Sequence, residues 1–317
     1  MYGVFRVLLM VTILGYLGWQ IYQGRPALAS LRPQWEPVSL GGALLSAFIA
    51  YQCLVLGWLV LLRRSGYYRP ENLGRYMRIW WVSYLYRYVP GKVLLVVERS
   101  RMGMSVGIPG APGAALTIVE TLLAILAGSA VSLLSIAFYA SGPDRRLLAG
   151  VVIVAIGVVF LFPAGFRLLV RTPFIRNRYP ELQAVAFGFG DILVAVLPYL
   201  LHYLLLGLSF LLLCLNLQLF TWSALPGLCG IYALSHVVSL IAWVAPGGLG
   251  VREGALAVQL ARVLPTGVGE ALAIGVRVWF TLVELVSYLG VLVFCPSLPE
   301  GDAGSRPMPA SKPERLR

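Results

Sequence analysis

Hydrophobic positions in this chain run together in long stretches. Six of them are long enough to cross a bilayer as helices: 3–22, 38–62, 115–140, 147–170, 192–217 and 271–294. Two further apolar regions, 79–113 and 227–263, are interrupted. RYVPGKV (Arg87–Val93) breaks the first, and APGGLGVREGAL (Ala245–Leu256) breaks the second. Each puts Pro-Gly and basic residues into sequence otherwise greasy enough to enter a membrane. Main chain that leaves helical geometry in hydrocarbon must be satisfied by protein or water, so such breaks point to backbone that lines a cavity. Paired breaks in two corresponding halves are the sequence mark of a transporter's substrate site.

Composition agrees with the runs. Of 317 residues, 59% are apolar and 12% charged, and the mean hydropathy is +0.83. A soluble domain carries about 25% charged residues. Lysine and arginine outnumber aspartate and glutamate by 25 to 13. The excess sits in loops between apolar runs, which fits lipid headgroups and topology control and not nucleic acid. The four cysteines (Cys53, Cys214, Cys229, Cys295) lie in or at the ends of apolar segments with no C-x-x-C spacing, so they read as packing residues. No metal or cofactor is expected. The N-terminus allows two readings. Arg6, an apolar run and ALAS (Ala27–Ser30) resemble a cleaved signal, yet the run is long enough to be retained as a first helix.

Positive charge sets the expected orientation. Arg63, Arg64, Arg69, Arg75 and Arg78 follow the second run, and Arg167, Arg171, Arg176 and Arg178 follow the fourth. Both loops are expected in the cytoplasm with both termini. They share a side only if region 79–113 returns to the side it entered from, as a re-entrant hairpin with Pro90-Gly91 near its tip. By the same logic 227–263 is a hairpin from the outside with Pro246-Gly247-Gly248 at its tip, although two full crossings would leave the C-terminus on the same side. The expected fold is an all-α polytopic membrane protein with about six full transmembrane helices plus two re-entrant helical hairpins in an inverted repeat. Residues 1–295 form the membrane domain, and 296–317 are expected to be a disordered tail.

Charges at membrane depth carry the candidate chemistry, since each costs about 3 kcal/mol to insert. The first break holds Arg87 and Lys92 beside Pro90 and Gly91, with Glu98 following; the second holds Arg252 and Glu253 directly after Gly250. Glu120 lies inside the third full run. Glu270, Arg277, Thr281, Glu284 and Tyr288 share one helical stripe. A plainer reading pairs these charges along the same helix, and pairs Arg252 with its neighbour Glu253. A weaker stripe, Asp191, Pro198, His202, Ser209 and Asn216, reads as a kinked helix on a cavity or as packing. A helix that starts inside the membrane points N–H groups and partial positive charge inward, and an arginine fork suits phosphate oxygens.

PGGLGVREGAL closely resembles the signature of the lysylphosphatidylglycerol synthase transmembrane region, the flippase-like domain family. RYVPGK, Glu120 and Arg277 match it more loosely, and the resemblance covers roughly residues 5–295. It implies a polytopic protein of the bacterial or archaeal cytoplasmic membrane that resembles the translocating half alone, without a synthase domain. The expected function is then a lipid translocator moving a phospholipid or a polyprenyl-phosphate-linked lipid between leaflets. Arg87, Lys92, Arg252 and Arg277 would bind the headgroup. Glu120, Glu253 and Glu284 would balance charge or carry a proton, and Pro90, Gly91, Pro246, Gly247, Gly248 and Gly250 would shape the breaks. The expected partners are lipids with anionic or phosphate-bearing headgroups. A structural or regulatory subunit of a lipid-modifying enzyme is the alternative. An intramembrane headgroup enzyme is a further one, although no H-E-x-x-H and no G-x-x-x-x-G-K-[ST] is present.

Overall fold

The computed structural model describes residues 21–88, 93–137, 171–242 and 248–298, with a few isolated positions elsewhere. The described chain is helical throughout: α1 (Arg25–Ser30), α2 (Pro37–Arg64), α3 (Leu73–Leu85), α4 (Val93–Met104), α5 (Gly110–Ser132), α6 (Pro173–Arg178), α7 (Phe189–Asn216), α8 (Leu225–Ile241), α9 (Val251–Leu260) and α10 (Val268–Phe294). Five stretches are long and apolar enough to cross a membrane: Pro37–Arg64, Gly110–Ser135, Phe189–Asn216, Trp222–Ile241 and Val268–Phe294. Four of them coincide with predicted runs. Runs 3–22 and 147–170 lie outside the described residues. The fifth lies largely in region 227–263, where α8 and its short leader make one continuous 20-residue helix ahead of the break.

Local sequence explains the helix ends. Pro37 opens α2 and Arg63 and Arg64 close it, a basic last turn against the negative end of the helix dipole. The starts of α7, α9 and α10 share one device. The N–H groups of Gly188, Gly250 and Gly267 each donate to a carboxylate three residues on, at Asp191, Glu253 and Glu270. Gly250 and Gly267 sit at φ +81° and +85°, where a side chain would be strained.

Helices α2 and α7 form the central pair. Polar groups of the predicted α7 stripe bond across it: Ser209 donates to the Ala43 carbonyl, His202 Nδ1 lies 2.8 Å from that of Ala50, and Asn216 reaches Ser39 and the Glu36 N–H. That stripe acts as interhelical adhesive, because in hydrocarbon a side chain without water seeks its partner on the neighbouring backbone. Glycines set the close approaches. Gly57 receives the Tyr199 ring, and a Cβ on Gly207 would fall on Cys229, within 2.6 Å of its Cα.

The two arginine-rich loops meet at one end of the molecule. Arg64 pairs with Asp191 at 2.9 Å, Tyr67 donates to the Glu181 carbonyl, and Arg78 donates to that of Cys295. At the opposite end Gln34 N–H bonds the Asn216 carbonyl and Gly24 abuts Thr266 and Gly267. Helix α3 leaves the arginine-rich end, and α4 packs against both α3 and the start of α5, where Ser100 bonds the Gly110 carbonyl. At 13 and 12 residues, α3 and α4 are about 20 Å long, short of a 30 Å hydrocarbon core. Helix α8 starts at the opposite end, and α9 packs back along it, with Gln259 on the Ile231 carbonyl. The beginning of the predicted tail is packed: Pro296 lies over Gly74 and Leu298 touches the core, while residues from 299 onward lie outside the description.

Gly207→Val is expected to destabilise the fold by about 1–3 kcal/mol, because the clash is with backbone that cannot rotate away. Thermal unfolding in detergent checks this, with Gly41→Ala, which meets open space, expected to unfold like the unsubstituted protein.

Candidate functional site

Both helix breaks deliver their charges to the same place. Arg87 lies in the short 3-10 turn Tyr86–Tyr88 after α3, and Arg252 and Glu253 lie in the first turn of α9. The inward stripe of α10 meets them with Arg277 and Glu284, while Val278, Leu282, Leu285 and Leu289 face outward.

Glu284 is the most heavily bonded group. It is 1% exposed and accepts from Tyr51 Oη at 2.6 Å, from Tyr88 Oη at 2.9 Å and from Arg87, with which it forms an ion pair. Arg87 also lies 3.9 Å over the Tyr84 ring and donates to Tyr88 Oη. Arg277 is paired differently: its Nε stands 3.3 Å from Glu253 Oε1, and its Nη2 reaches Tyr88 Oη at 3.5 Å. The charges of α10 therefore do not pair along their own helix. A separation of seven residues puts Arg277 and Glu284 two turns apart, and each finds a nearer partner on a hairpin. Nor does Arg252 pair with its neighbour. Glu253 turns Oε2 to the Gly250 N–H at 2.7 Å and Oε1 toward Arg277.

Arg252 is thus the exception. It is 5% exposed, rests 4.7 Å over the Tyr232 ring, and its Nη2 has no hydrogen-bond partner. Three guanidiniums and two carboxylates meet here among the described residues, leaving one positive charge in excess. Beside Arg252 is a cavity of about 10 Å³, lined by Tyr232, Glu253, Leu256, Val276 and Arg277 among others. That is room for about one water molecule.

Glu120 stands apart from this cluster. Its carboxylate accepts from Trp80 Nε1 at 2.8 Å and pairs with Arg99, whose Nε donates to Ser83. Gly248, at φ +71°, leaves no room for a Cβ against Ser239. Glu98 belongs to neither group, because it pairs with the exposed Arg101. Glu270 caps α10 and lines no path. Pro90, Gly91, Lys92, Pro246 and Gly247 lie outside the described residues.

Sequence reasoning missed Arg99, Tyr51, Tyr84, Trp80 and Tyr88. The tyrosines had a signal, since YLYRY brackets Arg87 with three phenols. Arg99 had little, being one of several basic residues near the end of its apolar region. The aromatic groups join the two charge sites. Arg87 covers Tyr84, Tyr84 stacks on Trp80 at 4.5 Å, and Trp80 lies 5.3 Å under Arg99.

The histidines belong to packing. His202 sits against Tyr51 and Tyr203, with His236 at 6.2 Å. No group of three or more His, Cys, Asp or Glu suited to a metal occurs among the described residues. No known family, curated protein or solved structure matches this chain.

Arg99→Ala is expected to cost about 3–5 kcal/mol, because it strands the Glu120 carboxylate in the interior. Arg101→Ala, removing only an exposed charge, should stay within about 0.5 kcal/mol. Paired unfolding curves check both, and an Arg99→Met/Glu120→Leu double variant should recover most of the loss.

Proposed function

We propose that this chain is a lipid translocator of the flippase-like kind. It would move a phospholipid or a polyprenyl-phosphate-linked lipid between leaflets of a bacterial or archaeal cytoplasmic membrane. The observation that carries the reading is the meeting of buried Arg252 with the largely enclosed Arg87 and Arg277, balanced among the described residues by Glu253 and Glu284. A protein that needed those charges only for its fold would neutralise them, since an uncompensated cation in the interior costs several kcal/mol. A negative headgroup arriving at this place completes the balance.

Access from two sides supports the same reading. Helices α3 and α4 form a hairpin that opens toward the arginine-rich end, and α8 and α9 form one that opens toward the other. Each sits between two long helices, α2 and α5 or α7 and α10. In our reading these are the re-entrant elements of an inverted repeat, with the arginine-rich end in the cytoplasm. The headgroup would pass between the hairpin tips while the acyl chains stay in the bilayer. The cavity of about 10 Å³ then belongs to a closed state, in which the ion pairs hold Arg87 and Glu253 against α10.

Headgroup accessibility in proteoliposomes tests the proposal. Unsubstituted protein should equilibrate a fluorescent anionic phospholipid between leaflets, and Arg252→Gln should slow this by at least about tenfold, the loss of one charge-assisted contact. Equal rates for the two proteins would discard the mechanism.

A further inference from the structure

Glu253 divides its two oxygens between two tasks. Oε2 caps α9 at the Gly250 N–H, while Oε1 faces Arg277 across 3.3 Å without an aligned hydrogen bond. The adjoining Arg252 guanidinium is 95% buried and lines the same cavity, with Nη2 unpartnered. A carboxylate thus lies at the positive start of a ten-residue helix, between two arginines, where an outside anion would otherwise bind.

We propose that Glu253 Oε1 holds the place of an anionic ligand oxygen, and that a monoanionic phosphodiester enters by displacing it from Arg277. Three observations support this. The cavity holds about one water, so a phosphate group enters only if a resident group leaves. Glu253 is the resident that leaves most readily: Glu284 is held by three donors, whereas Oε1 of Glu253 has one loose ion pair, and Oε2 keeps the helix capped after the exchange. The charge count selects the ligand. Among the described residues three cations and two carboxylates leave one positive charge, which a phosphodiester cancels and a dianionic phosphomonoester over-fills. The inference rests on the translocation reading for the lipid source of the phosphodiester.

Glu253→Gln tests it, because glutamine retains the cap at Gly250 but gives up the charge that competes with the ligand. The purified full chain in detergent is titrated with dihexanoyl phosphatidylglycerol, dihexanoyl phosphatidate and inorganic phosphate, and affinity is read from the ligand-dependent rise in unfolding temperature. Glu253→Gln should bind phosphatidylglycerol about tenfold tighter than the unsubstituted protein, with a smaller gain for phosphatidate. Adding Arg252→Gln should abolish the gain. Should Glu253→Gln not fold, Glu253→Asp, whose shorter carboxylate withdraws from Arg277, should show the same gain in part.

Unchanged or weaker affinity in the folded variant overturns the proposal, as does a gain that survives loss of Arg252. An equal gain for inorganic phosphate keeps the displacement and overturns the lipid source. The two proposals fail separately. Tighter binding in Glu253→Gln with scrambling indifferent to Arg252→Gln retains the anion site and removes translocation. Scrambling lost in Arg252→Gln with no gain in Glu253→Gln does the reverse.

Discussion

Arg87 and Arg277, largely enclosed among apolar helices, are each met by a carboxylate from another helix, and the rest of this structure depends on those two pairings. Helix α10 cannot satisfy Arg277 and Glu284 by itself, so each draws in a hairpin: Glu253 comes from α9 and Arg87 from the turn after α3. The helix breaks allow this. A continuous helix would carry Arg87 past Glu284 and would give α9 no start at Gly250.

The same solution occurs twice with the signs exchanged. In one half the returning hairpin helix contributes the cation and the next long helix the anion, Arg99 of α4 against Glu120 of α5. In the other, α9 contributes Glu253 and α10 contributes Arg277. The pairs differ in tightness. Arg99 and Glu120 are bonded on every side by Ser83, Trp80 and each other, whereas Glu253 and Arg277 stand apart beside a cavity. The charged contact of α4 with α5 is thus tightly bonded, and that of α9 with α10 is looser.

Much of the helical layout was legible because membrane-length apolar runs are a strong signal that needs no knowledge of contacts. The breaks were legible because Pro-Gly and arginine are so out of place inside such runs. Which charge meets which was not. Glu120 and Arg277 look alike in sequence, each a charge inside a long apolar helix, yet Glu120 pairs away from the main cluster. The plausible neighbours Arg252 and Glu253 turn away from each other, since the cap at Gly250 fixes one carboxylate oxygen and α10 supplies a better placed cation. Arg99 shows the limit most clearly, because it is enclosed by Trp58, Trp80, Ser83 and Glu120 on other helices.

The column of Arg87, Tyr84, Trp80 and Arg99 also bears on how the first hairpin responds to force. Tyr84 and Trp80 are one turn apart on α3, so their stacked rings make that face of the helix a stiff strut with a cation seated at each end. A push on Arg87 is not absorbed by a rotating side chain. It passes along the strut to Arg99 and so into the anchorage of α4 on α5.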